Sequence, residues 1–365
     1  MALLEPGTQI RDTYEVERFL GEGAFAEVYR VKHRFLGRQA MKLFKVPGMQ
    51  ISEIEEMMGE AIILSKIGHP NIVRVFDANV IEVEGANHGY FTMENVAGGS
   101  LEHFWHSYGL EFVPVDTSIN IICQVCRGLC LAHDESPPMI HRDIKPQNIL
   151  VGYDASGLRA RLSDFGLAKS VNPLTLLATG AGTLAFKPPE VFSMDRGDSP
   201  AADMWALGVT LYWLLTDEMP YNVDPTLGWN QKGLQGAPKT PSSLNPDANL
   251  ALDRIVAKAL APEPEDRYQT ARQMLEDLQA WDPKPDAIPA TTSTEVSHSK
   301  TTLSPGISSN NPDKGKRLAN EALQFKSNGR LADAADLMEE AFNEWPELRH
   351  RYESHVGLWR NGISM

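Results

Sequence analysis

Cysteine is scarce in this chain: three in 365 residues, Cys123, Cys126 and Cys130, at spacings of three and four. No histidine or fourth cysteine completes a metal set beside them, and the helical spacing reads as one apolar face of a buried helix. A disulfide framework is excluded, which fits a reducing compartment. Basic residues are also in short supply. Lys and Arg number 34 against 48 Asp and Glu, a formal net charge of −14. That balance argues against a nucleic-acid surface and against an anionic membrane as partner. Residues 1–9 lack the basic and apolar regions of a signal peptide. No apolar run is read as long enough to span a bilayer, so a soluble, cytoplasmic protein is expected. The hydrophobic share of 42% and charged share of 22% are those of a globular protein, and the length allows two domains or one two-lobed domain with an appendage.

The chain is organised around His141-Arg142-Asp143-Ile144-Lys145-Pro146-Gln147-Asn148, followed by Asp164-Phe165-Gly166. Carboxylates and an amide at such positions suit a site that faces polyphosphate, because divalent metal must neutralise charge that would otherwise repel them. The two stretches in this order resemble the eukaryotic-type serine/threonine protein kinases, in their bacterial branch. The resemblance covers about residues 14 to 281. It implies that Asp143 accepts the proton of the attacking hydroxyl, that Lys145 contacts the γ-phosphate, and that Asn148 and Asp164 hold Mg2+, with Mn2+ as a substitute. Lys145, two places after the aspartate, resembles serine/threonine rather than tyrosine kinases.

The remaining motifs follow in order. Tyr14 to Leu20 reads as a strand leading into Gly21-Glu22-Gly23-Ala24-Phe25-Ala26-Glu27-Val28, where glycines let backbone approach phosphate. Ala26 stands where the family has its third glycine. Alternation in Gln39 to Phe44 puts Ala40 and Lys42 on one face of a strand. The resemblance gives Lys42 to the α- and β-phosphates of ATP and pairs it with Glu60, in a helix expected over 51–67. Tyr90 to Val96 resembles the hinge between lobes, with Met93 beside the adenine and the backbone of Glu94 and Val96 bonding the base. Val28 and Ala40 above and Leu150 below would close an apolar slot.

A long helix is expected over about 115–135, and an almost wholly apolar one from Asp203 through Leu215, too apolar all round to be anything but buried. The family makes Asp203 the anchor of the catalytic-loop backbone and pairs Glu190, in Pro188-Pro189-Glu190, with Arg267. Residues 167–189 resemble an activation segment. Thr179 and, second, Thr175 are its expected phosphorylation sites, near the cations Arg142 and Lys169, whereas Thr183 resembles the threonine that contacts Asp143 and Lys145.

The expected fold is therefore α+β and two-lobed: an antiparallel sheet plus one helix (1–95) over a mainly helical lobe (96–281). Residues 282–313, rich in Pro, Ser and Thr, read as a flexible linker. In 314–365, Ala322, Phe325, Gly329, Ala334, Ala341 and Pro346 fall at tetratricopeptide positions, and a 34-residue step reaches Tyr352, Val356 and Trp359. A second unit begins and lacks its second helix, so the sequence is expected to be a piece of a longer protein. Expected partners are proteins bearing Ser/Thr and a protein partner of the tail. The competing reading is an inactive kinase-fold scaffold, against which the intact Lys42, Asp143, Asn148 and Asp164 count.

Overall fold

Alternating burial in the first strands builds one sheet with two apolar faces. The computed structural model describes residues 2–23, 26–48, 50, 52–55, 59, 68–109, 112–165, 184–192, 199–221, 236–283, 312–327, 329–346 and 348–360. Six antiparallel strands, β1 (Gln9–Ile10), β2 (Tyr14–Glu22), β3 (Ala26–His33), β4 (Gly37–Pro47), β5 (Val75–Val83) and β6 (Ala86–Glu94), lie in the order β1-β2-β3-β4-β6-β5. Tyr29, Val31, Met41, Leu43 and Tyr90 fill the outer face, under Leu4 from the N-terminal segment. That segment is tied down where Leu4 N donates to the Tyr29 hydroxyl (3.0 Å) and Leu3 N to Glu27 (2.9 Å). The sequence reading had given it no role. The period of two turns Ala26, Ala40, Phe44, Phe91 and Met93 to the opposite face, where they join the core of the second lobe. The helix expected over 51–67 lies mostly outside the described residues; 52–55 and 59 are helical.

The second lobe begins with α1 (Leu101–His106), whose first turn is capped by Ser100 accepting from His103 N at 3.2 Å. α2 (Val115–His133) follows and carries the cysteines, with Cys123 and Cys126 buried and burial pushing both thiols up. Here the sequence reading needs correcting. α2 is 19 residues long and by length and composition could cross a bilayer. It is instead mostly buried, packed against the helices and hairpin of this lobe, because a helix at the centre of a core must be apolar on several faces. A two-stranded hairpin, β7 (Ile149–Asp154) with β8 (Gly157–Leu162), had not been foreseen as a separate sheet.

α3 (Pro200–Thr216) is buried along almost its whole length. Pro at its first position suits the absence of an N–H partner there. It ends at Asp217, whose left-handed φ of 56° is compensated by a bond from Trp105 Nε1 to its carboxylate at 2.5 Å. α4 (Leu250–Ala259) and α5 (Ala271–Gln279) complete the lobe.

The expected linker falls outside the described residues over 284–311. Beyond it stand α6 (Pro312–Ser327), α7 (Leu331–Glu344) and α8 (Leu348–Arg360). Ala319, Ala322, Ala334, Ala335, Ala341 and Met338 are fully buried between them, and Tyr352, Val356 and Trp359 close the cluster. Small residues allow the close approach: a Cβ on Gly315 would stand 2.5 Å from Trp345 Cβ. The positions picked by the repeat pattern on these helices are thus core positions, Phe325 only partly so. The tail does not stand apart from the kinase-like lobes. Tyr352 donates to the Gly109 carbonyl (3.1 Å), His355 stacks on Trp105 (6.5 Å between rings) and Lys326 Nζ meets His106 Nε2 at 3.0 Å.

Candidate active site

The loop at 140–148 is held by one buried carboxylate. Asp203, 1% exposed in the first turn of α3, accepts the N–H of His141 at 2.8 Å and of Arg142 at 2.9 Å. His133 Nε2 lies 3.0 Å from the same carboxylate. Burial alone would raise the Asp203 pKa, but these bonds, that from His133 first, keep it low. The anchor is needed because Arg142 has φ 69°, a left-handed conformation costly for a residue with a side chain.

His141 links the two motifs. Asp143 N donates to its Nδ1 (3.2 Å), and its Nε2 faces the Ser163 carbonyl at 2.7 Å, so Nε2 carries the proton and the ring is neutral. Burial pushes its pKa down, which agrees. Its ring also meets Phe165 edge-on at 4.5 Å.

Asp143 is the most crowded group in the cleft. Lys145 Nζ lies 2.9 Å from Oδ2, Asn148 Nδ2 donates to the same oxygen at 2.9 Å and to the Asp143 carbonyl at 2.7 Å, and Lys187 Nζ lies 3.1 Å from Oδ1. Burial opposes its charge, yet Lys187 and then Lys145 outweigh that and hold the carboxyl well below the usual carboxylate range. Lys187 was missed in the sequence. The available signal was a lone lysine immediately before Pro188-Pro189-Glu190 in a stretch whose Leu184, Ala185 and Phe186 are apolar.

Lys42 and Asp164 meet at 2.9 Å. Glu60, the expected partner of Lys42, lies outside the described residues, so Lys42 has Asp164 as its described ion partner. Asp164 has φ 65°. Its Oδ1 is buried and, although near Lys42, makes no well-aligned hydrogen bond, which leaves it fit to take a cation. Asn148 spends its N–H groups on Asp143, so its amide oxygen remains as a ligand. One carboxylate plus one amide oxygen suits a hard divalent ion that keeps waters and binds phosphate as well.

The slot above this cluster is set by register. Val28 pairs with Lys42, Lys42 with Phe91 and Ala40 with Met93, so all five share the face that looks toward the second lobe. Leu150 approaches from below, bridged to Ser100. A Cβ on Gly98 would lie 2.1 Å from the Val151 carbonyl oxygen, so only glycine lets the hinge pass this close to β7. At Glu94 the N–H is already given to the Arg74 carbonyl (2.8 Å), which leaves its own carbonyl for a base. Val96 accepts from Gly99 (3.3 Å), and its N–H meets no partner among the described residues. Gly21 pairs with Val28 and Glu22 with Glu27, and Gly23 N bonds the Ala26 carbonyl at 2.7 Å. The Glu22 side chain reaches out to Lys45 (2.7 Å) and can contribute only backbone to the slot. Ala24, Phe25, Gly166, Lys169, Thr175, Thr179 and Thr183 lie outside the described residues.

The substrate side is anchored by Glu190 and Arg267, joined by two parallel bonds of 2.7 and 2.8 Å with Arg267 only 2% exposed. Arg267 also bonds the carbonyls of Ala261 and Pro262 and lies over the Trp205 ring at 4.7 Å.

Comparison with known proteins agrees with this geometry. The model of the protein kinase domain family matches residues 14–284. The probable serine/threonine-protein kinase PknB of Corynebacterium glutamicum is 32% identical over 279 residues, covering 74% of this chain and 42% of that protein. The serine/threonine-protein kinase PknB of Mycobacterium leprae is 32% identical over 276 residues, covering 74% and 43%. The chain thus spans about two-fifths of the length of these relatives. The crystal structure of the Mycobacterium tuberculosis PknI kinase domain superposes with a TM-score of 0.56 at 26% identity, over 76% of this chain and 98% of that domain. The two-lobed fold, the ordered motifs and the matching family model place this chain in the protein kinase family, whose members use ATP and a divalent metal.

Proposed function

We propose that the chain is a serine/threonine protein kinase that transfers the γ-phosphate of Mg-ATP to protein hydroxyls. The observation that carries this is the ionised Asp143 carboxylate, flanked by Lys145 and Asn148 and set beside the Lys42–Asp164 pair. Asp143 orients the incoming Ser or Thr hydroxyl and receives its proton. A carboxylate held so firmly ionised is a weak base, so proton transfer comes late and positioning dominates. Lys145 would face the γ-phosphate, and Lys42 would orient the α- and β-phosphates. Asn148 and Asp164 would hold Mg2+, or Mn2+ in its place. Bound metal supplies charge neutralisation on the phosphate oxygens. The base sits in the slot of Val28, Ala40 and Leu150, bonded by the Glu94 carbonyl and the Val96 N–H. Phosphorylation of Thr179, with Thr175 second, would order the activation segment through Arg142 and Lys169. The tail, read as a tetratricopeptide-like unit, would take a protein partner.

The test is γ-phosphate transfer to a general protein substrate at saturating Mg-ATP, with Asp143→Asn as control. Wild type should exceed the variant by roughly 100- to 10,000-fold. Equal silence of the two would instead support the scaffold reading.

A further inference from the structure

Lys187 has no role in the reading above, yet it is only 6% exposed. Burying an ammonium is costly unless its charge and its donors are satisfied. Its Nζ lies 3.1 Å from Asp143 Oδ1 and donates to the Arg142 carbonyl. Those acceptors belong to adjacent residues of the catalytic loop, and the first has the left-handed backbone at φ 69°. One side chain therefore grips both the unusual peptide and the carboxylate next to it. The two oxygens of Asp143 are held by different parts of the chain. Oδ2 is held from within the loop, by Lys145 and Asn148. Oδ1 is held from 44 residues along, by the segment that three residues later is pinned through Glu190 to Arg267. A carboxylate offers about four acceptor positions. Three described donors occupy it, which leaves room for about one more, the place of an incoming hydroxyl.

We propose that Lys187 is a positioning residue for phosphoryl transfer, which fixes the rotation of the Asp143 carboxylate and aligns it only while the segment before Glu190 is seated. This rests on the kinase reading in which Asp143 is the base. Methionine matches the length and shape of the lysine stem but donates nothing. Glutamine keeps one donor group, and the arginine fork can still satisfy both Asp143 Oδ1 and the Arg142 carbonyl.

Steady-state phosphoryl transfer by the full chain, compared for wild type, Lys187→Met, Lys187→Gln and Lys187→Arg, tests this. Calorimetric binding of Mg-ATP gives the affinity and the fraction of sites that are intact. Lys187→Met should lose roughly 10- to 100-fold in kcat, the scale of a misplaced catalytic group. Its Mg-ATP affinity should stay within about twofold and its binding stoichiometry unchanged. Lys187→Arg should recover most of the lost kcat. If the methionine variant does not fold, the glutamine variant carries the same expectation. A folded Met or Gln variant with wild-type kcat, or an Arg variant as impaired as Met, overturns the assignment. Active wild type with unimpaired Lys187→Met overturns this inference alone, whereas wild type without transfer overturns the kinase reading and this inference with it.

Discussion

The active-site cleft and the contact between tail and α1 both bury charged or ionisable side chains, and they do so by opposite means. In the cleft, three described groups of buried charge meet charges of opposite sign: Asp143 with Lys145 and Lys187, Lys42 with Asp164, Glu190 with Arg267. At the tail contact Lys326 meets an imidazole, His106, at 3.0 Å, with His103 and His355 near that ring and Glu102 as the acidic neighbour. Burial lowers the pKa of both Lys326 and His106. The cleft thus sets these charges against opposite ones, whereas the tail contact sets a buried lysine against an imidazole. Removing one partner should be costly in the first region and cheap in the second, and His106 should loosen the second in mild acid.

The largest effect belongs to the cleft. Glu190→Ala leaves the Arg267 guanidinium buried without its carboxylate and should cost about 3–5 kcal/mol, read from chemical denaturation of the full chain. A loss below about 1 kcal/mol would mean that the carbonyls of Ala261 and Pro262 satisfy the guanidinium by themselves.

An intermediate effect is expected on pH. His106 is held at about 4 against an ordinary 6.5, by burial first and by Lys326 second. Between those values the unfolded chain binds a proton on this ring that the folded chain does not. Its contribution is complete above about 6.5 and is lost as pH falls toward 4. Thermal midpoints of wild type should therefore drop more steeply over that window than those of His106→Gln, which cannot charge. Parallel curves would remove His106 as the source and break the contrast between the two regions.

The smallest effect sharpens the contrast. Lys326→Met removes a buried ammonium that has no carboxylate within ion-pair distance among the described residues, and leaves only the His106 ring without a donor. Stability at neutral pH should change by less than about 1 kcal/mol, in either direction. A loss matching that of Glu190→Ala would show that the tail contact is charge-stabilised after all.

Much of the site was legible because its signals are local. The period of two in β4 places Ala40 and Lys42 on one face, and the structure puts both toward the second lobe. The apolar character of residues 203–215 implied burial, and α3 is buried. Asp203 was assigned to the catalytic-loop backbone, and it bonds two N–H groups there. What stayed hidden depends on partners distant in sequence. Lys187 looks like any loop lysine until Asp143 is beside it. Apolar character alone could not separate the centre of a lobe from the centre of a bilayer for α2, nor rule out the latter as the sequence reading did.

The sequence by itself determined the order of the motifs, the strand faces and the core positions of the tail helices. Each of these rests on a short-range period or on residue types a few places apart. Only the tertiary structure decided that Lys187 grips the carboxylate of Asp143, that Lys42 pairs with Asp164 and that Tyr352 reaches the Gly109 carbonyl 243 residues away. Such contacts are set by how the packed elements meet. An ammonium, an imidazole or a hydroxyl has the same chemistry wherever it stands in the chain, and burial beside a particular neighbour gives it its charge and its work.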